Sequence, residues 1–206
     1  MLECRISSSG GDEILSESQV LIVDCGSDKV DSIQDIVHER GFTPLRVRLS
    51  EISQTDHSAH YSGIIISGSP ILLTEIDYSQ LLKSFEFIRT ARSPVLGICF
   101  GHQITGLLHG AKVFRGLECR TNLNIAVLDR DELFEGLEST LSLREDHCEG
   151  ISLPSEFSLL AKSEKYDVEA MKHRHKQLYG TQFHPETSGE IGQKIIGNFL
   201  SLCGKV

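Results

Sequence analysis

Apolar residues along this chain switch between two spacings, and the switches mark its elements. Gln19–Cys25 (QVLIVDC) is a nearly unbroken apolar run, the pattern of a parallel strand covered on both faces. Ser27–Glu39 then places Val30, Ile33, Ile36 and Val37 on one helical face and stops at Gly41. Pro44–Leu49 and Gly63–Ile66 read as the second and third strands, the latter leaving into Ser67-Gly-Ser-Pro70. Asp77–Ala91 carries Tyr78, Leu81, Leu82, Phe85 and Ile88 at helical spacing. Pro94–Ile98 is the fourth predicted strand, and His102–His109 a helix whose apolar face is Ile104, Leu107 and Leu108.

Strands alternating with helices from 19 to 110 predict βαβ units. The expected fold class is α/β, with an open, mostly parallel, doubly wound sheet carrying helices on both faces. From Ala111 to Gly180 the chain turns to short strands and turns, which predicts a small antiparallel excursion rejoining the main sheet near Gln177–Phe183. Thr187-Ser-Gly-Glu190 has the form of a helix capping box. The last helix, to about Leu202, buries Ile191, Ile195, Phe199 and Leu202.

Composition narrows this further. The 206 residues, 39% hydrophobic, suit a single core. Residues 1–18 are rich in Ser, Gly and Glu and are expected to be a flexible N-terminal tail, leaving one domain over 19–206. A net charge of −9 without a long basic run argues against nucleic acid as a partner. No apolar run approaches the ~18 residues of a membrane span, so no membrane is expected. The first eighteen residues lack the apolar core of a secretion signal, which predicts a cytoplasmic protein with its six cysteines reduced. No C-x-x-C or zinc-like spacing occurs, so neither a metal nor another cofactor is expected.

In open α/β sheets ligands collect at the carboxyl ends of the strands. Three segments arrive there: Ser67–Pro70, the turn around Cys99, and Gln182–Glu186. Cys99 falls between a predicted strand and a predicted helix with Gly97 and Gly101 on either side, the thiol version of the G-x-S-x-G elbow. The helix start directs free N–H groups at the sulfur and favours thiolate. Pro185 holds His184 extended, so His184 and Glu186 project to the same side. Cys99 would attack, His184 would move protons, and Glu186 would orient His184. The backbone N–H groups of Gly68, Ser69 and Phe100 would form an oxyanion hole. A buried cysteine between turn glycines, or His-Pro-Glu in a surface turn, would produce each piece alone; their convergence in complementary roles favours catalysis. His102 is expected at the pocket mouth, Cys119 and Cys148 as packed or idle residues, and His173-Arg-His175 as a solvated hairpin turn.

Gly97-Ile-Cys-Phe-Gly-His-Gln103, Gln182-Phe-His-Pro-Glu186 and Ile65-Ile-Ser-Gly-Ser-Pro70 together resemble the three signatures of class I (triad) glutamine amidotransferases, whose sheet is flavodoxin-like. The likeness runs over about residues 19–203. Among branches it is nearest the glutaminase subunit or domain of GMP synthase, with anthranilate synthase component II also similar. The resemblance implies that Cys99 attacks the side-chain amide of L-glutamine and that His184 protonates the departing ammonia. Water then hydrolyses the γ-glutamyl thioester, while Gln103 and Gly68 help hold the substrate. No acceptor module follows in the chain, so the expected partner is a separate synthetase subunit that takes the ammonia. A stand-alone γ-glutamyl amide or peptide hydrolase and a non-catalytic regulatory homologue are the alternatives. The chain departs from the family pattern at Ser69 (usually glycine), at Cys25-Gly-Ser-Asp28, in Leu117–Asn122, and at Asp146-His147, where the branch has Ser-His.

Overall fold

In the first strand, β1 (Gln19–Asp24), successive side chains point to opposite faces. Val20 and Ile22 therefore enter one apolar layer and Leu21 and Val23 the other. The computed structural model describes residues 18–55 and 61–204. The expected tail, Ser18 excepted, lies outside the described residues.

Helix α1 (Val30–Glu39) buries Val30, Ile33, Ile36 and Val37 in the first layer, and the chain reverses at Gly41, φ +85°. Strand β2 (Thr43–Arg48) is the sheet's outer edge, where Pro44 removes no needed ladder bond. Strand β3 (Gly63–Ile66) is buried throughout. Helix α2 (Ser79–Ser84) packs on the second layer, followed by β4 (Val95–Ile98) and α3 (Phe100–Leu108). The remaining elements are β5 (Val113–Cys119), β6 (Asn122–Val127), β7 (Thr140–Arg144), β8 (His147–Ile151), β9 (Phe157–Lys162), β10 (Ala170–His173), β11 (Leu178–Thr181) and α4 (Gly189–Cys203). Helices α1 and α4 cover one face, α2 and α3 the other, so the sheet is doubly wound.

The main sheet has nine strands in the order β2-β1-β3-β4-β11-β10-β9-β6-β7. Its pairings are parallel from β2 to β11 and antiparallel from β11 to β7. Rejoining at β11 is as the sequence predicts, with Gly180 beside Gly97 and Thr181 beside Ile98. Most of the antiparallel excursion, however, extends the main sheet; only β5 and β8 form a separate two-stranded ribbon.

Three local expectations are corrected. The helix predicted over Asp77–Ala91 is broken into α2 and a 3-10 turn over Glu86–Arg89. The tighter turn eclipses i and i+3, which turns Phe85 and Ile88 together into the core, with Phe85 edge-on to Phe100. Helix α3 begins at Phe100, two residues before the predicted start. The capping box at Thr187–Glu190 does not form: Thr187 Oγ1 donates back to the His184 carbonyl at 3.4 Å, and the helix opens one residue later on Ser188, whose Oγ donates to the same carbonyl at 2.7 Å and accepts from the Arg144 N–H at 2.9 Å.

Candidate active site

Strands β3, β4 and β11 lie side by side at the centre of the sheet, and the segments leaving their carboxyl ends meet. Cys99 sits between β4 and α3 with φ +51°, ψ −101°, the only non-glycine residue at positive φ among the described residues. Backbone in such a region costs about 1–3 kcal/mol and persists where the surroundings fix it. Here the Cys99 N–H donates to the Thr181 carbonyl at 2.7 Å and its carbonyl accepts the Gln103 N–H at 3.0 Å. The flanking glycines make the crossing possible. A Cβ on Gly97 would fall 2.4 Å from the Gly101 backbone, and one on Gly101 would fall 2.4 Å from the Ile66 carbonyl oxygen.

His184 is extended, φ −100°, ψ 90°, and Pro185–Thr187 form one 3-10 turn after it. The side chains meet as expected, His184 Nδ1 to Glu186 Oε1 at 2.7 Å, although Glu186 arrives on a turn and not on a strand. With Nδ1 taken by Glu186, Nε2 is the ring nitrogen left for the Cys99 sulfur, whose charge helps keep the imidazole protonated. The His184 backbone is held at both ends, its N–H by the Arg144 carbonyl at 2.8 Å and its carbonyl by Ser188 Oγ. Burial alone would depress the imidazole, but the Cys99 sulfur and the Glu186 carboxylate outweigh it and push the His184 pKa up to about 10.

Gly68 packs directly against this pair: a Cβ there would lie 2.9 Å from His184 Cε1 and 3.7 Å from Cys99 Cβ. Ser69 is not at positive φ, so its departure from glycine carries no backbone strain. Phe100 is the first residue of α3, where N–H groups have no intrahelical acceptor. Gln103 is buried, its Nε2 donating to the Glu149 carbonyl and to Gln182 Oε1, both at 3.2 Å. A cleft of about 470 Å³ opens over these residues, lined by Cys99, His184, Gln103, Ser69 and the charged Lys29 and Arg120 among others. The fold thus brings all the predicted site residues to one place.

The family model for glutamine amidotransferase class-I matches residues 21–202. The chain belongs to this family. It is 40% identical over 148 residues to the A component of glutamine-hydrolyzing GMP synthase from Pyrococcus abyssi, covering 70% of this chain and 77% of that one. The protein of the same name from Methanocaldococcus jannaschii is 31% identical over 189 residues, 90% of this chain and 97% of that one. A glutamine amidotransferase structure from Thermotoga maritima superposes with a TM-score of 0.80 over 92% of this chain and 99% of that one, a likeness of fold at 18% identity.

Other residues of this class-I amidotransferase lie where sequence reasoning did not put them. Gln182 Nε2 approaches Cys99 Sγ at 3.6 Å, a contact readable from its i−2 relation to His184. His102 is fully buried beneath the site, not at its mouth, and burial drives its pKa down to about 3. His173 is packed against Phe157, not solvated, although Arg174 and His175 do form an exposed turn. Cys119 is packed as expected, while Cys148 lines the cleft. At the rim Asp146 receives both Lys29 Nζ at 2.9 Å and Arg120 Nη1 at 2.7 Å, and Lys29 and Arg120 hold it charged despite partial burial. That pairing joins segments far apart in the chain and leaves no local pattern to read.

Proposed function

We propose that this chain is the glutamine-hydrolysing component of a two-chain GMP synthase, releasing ammonia from L-glutamine for a separate synthetase subunit. The observation that carries the reading is the kinked Cys99 sharing a cleft with a His184 that Glu186 fixes from behind at 2.7 Å. The GMP synthase relatives supply the branch.

The Cys99 thiolate adds to the side-chain amide carbon of glutamine. The oxygen that becomes negative is received by the N–H groups of Gly68, Ser69 and Phe100, each donor of this kind being worth about 2.7–4 kcal/mol. His184 delivers its proton to the nitrogen, and the C–N bond breaks to release ammonia and leave a γ-glutamyl thioester. The same imidazole then takes a proton from water, which attacks the thioester and frees glutamate and the thiol. Glu186 keeps the imidazole in one tautomer through both halves. Gln103 has its amide nitrogen committed within the protein and turns its oxygen to a donor on the substrate, with Gly68 leaving room beside it. No cofactor enters any step. The catalytic domain runs from 19 to 206, and we place the protein in the cytoplasm, where the Cys99 thiol would stay reduced.

Release of glutamate from L-glutamine, measured with and without the synthetase chain, tests the reading. We expect turnover that rises when the synthetase and its acceptor substrate are present and that falls at least about 1,000-fold in Cys99→Ala. Turnover of other γ-glutamyl amides with no response to the synthetase would instead mark a stand-alone hydrolase.

A further inference from the structure

Beside the cleft lies a second polar cluster that the hydrolysis does not use. Glu145 and His147 bracket the entry to β8, and Glu169 immediately precedes β10. One carboxylate oxygen from each glutamate and one ring nitrogen of His147 lie within 4.8 Å of one another, and all three residues are buried. His147 Nδ1 lies 2.8 Å from the Glu149 carbonyl oxygen, so the ring proton sits on Nδ1 and Nε2 presents a lone pair. That lone pair faces Glu145 Oε2 at 2.8 Å. Glu145 Oε1 and both oxygens of Glu169 have no hydrogen-bond partner, and the Ser163 hydroxyl acts on Glu169 only from beyond bonding range. Five acceptor atoms therefore converge in the interior with no bonded donor among them.

Burying carboxylates in this way is strongly disfavoured unless something positive joins them. Protons on the two carboxyl groups would relieve part of the problem. Even then, with Glu145 donating to Nε2 and Glu169 donating to Glu145, the second Glu169 oxygen stays bare. One divalent cation satisfies all three groups and cancels two negative charges. His147 is also oriented as ligating histidines are, with its other N–H given to a backbone carbonyl. One imidazole with two carboxylates suits a first-row transition ion better than magnesium or calcium, and zinc binds such sets more tightly than manganese.

We propose that Glu145, His147 and Glu169 form a buried site for a divalent transition-metal ion, zinc foremost, which pins the segment carrying His184. The Glu169 carbonyl accepts the Gln182 N–H at 2.8 Å, and the Arg144 carbonyl, next to Glu145, accepts the His184 N–H at 2.8 Å. An ion joining the two glutamates thus fastens the backbone on both sides of residues 182–184. His147 lines the cleft and gives the ion its way in. A second group, His109, Glu156 and His173, is less suited: His173 Nδ1 accepts the His175 N–H, which leaves the proton on Nε2.

The test is equilibrium dialysis of the full chain, stripped with chelator, against zinc, with metal counted by mass spectrometry. The Cys99→Ala background removes the reactive thiol. We expect one ion per chain, bound at least about 100-fold more weakly in Glu169→Gln and unchanged in His109→Ala. Two readouts on the unsubstituted cluster guard against a misfolded variant. Cobalt loading should give d–d bands without a thiolate charge-transfer band, and zinc should raise the urea-unfolding midpoint of the chain. No stoichiometric ion, equal binding by Glu169→Gln, or a thiolate band on cobalt loading would overturn the proposal and leave protons on the two carboxyl groups as the occupants. None of these readouts depends on glutamine turnover, so this proposal and the assigned reaction fail separately.

Discussion

Cys99 and His184 are each held in a condition they would not adopt alone, the first in its backbone and the second in its charge. The positive φ of Cys99 lifts its sulfur out of the plane of β4, and the ladder bond to Thr181 keeps it there. His184 is buried yet retains its proton, because Cys99 and Glu186 flank the ring. Its folded-state pKa of about 10 stands above the ordinary 6.5. The folded state therefore binds this proton more tightly, and the associated stability is complete below about pH 6.5 and lost as pH rises toward 10. Urea unfolding measured across that range should show an alkaline decline that is smaller in His184→Gln; parallel pH profiles would contradict it. Cys99, His184 and Glu186 were legible because each sits inside a short local pattern, two turn glycines or an i, i+2 pair around proline. Gln182 was equally available to the period-two rule. The Glu145–His147–Glu169 cluster was not, since it draws on two segments that are distant in sequence and meet only in the folded chain.

At the scale of elements, the strand-to-helix crossing after β4 leaves no room for a side chain at either flanking glycine. Gly97→Ala and Gly101→Ala each push a methyl group into backbone atoms 2.4 Å away, which no side-chain rotation can relieve. We expect each to cost about 1–3 kcal/mol or more, read as a lowered midpoint in urea unfolding, while Gly110→Ala, open to space but at φ +86°, loses stability only through backbone strain. Wild-type midpoints for the first two would contradict the packing described. Apolar patterning located β1, β3 and β4 as short runs buried on both faces, and α1 and the last helix by their one-sided apolar stripes. It merged α2 with the following 3-10 turn because both spacings place Phe85 and Ile88 inward. The capping box misled because the helix opens one residue later than the box requires, with Ser188 at its N-cap and the Ser188 hydroxyl held by the distant Arg144 N–H.

Across the whole molecule, function depends on an order the chain does not spell out. β11 comes from far down the sequence to lie beside β4, and this places Gln182 and His184 over a sulfur carried by a different crossover. Alternating strands and helices made the parallel half legible. The antiparallel half was legible as strands but not as a continuation of the same sheet, since short strands do not declare their neighbours. The central claim is that this order makes one thiol out of six a nucleophile aimed at a glutamine side chain. Peptide mass spectrometry of the protein treated with a diazo-ketone analogue of glutamine tests it most directly. We predict a single adduct on Cys99, suppressed by excess L-glutamine and absent in Cys99→Ala. A label on another cysteine, or none on the folded protein, would contradict it.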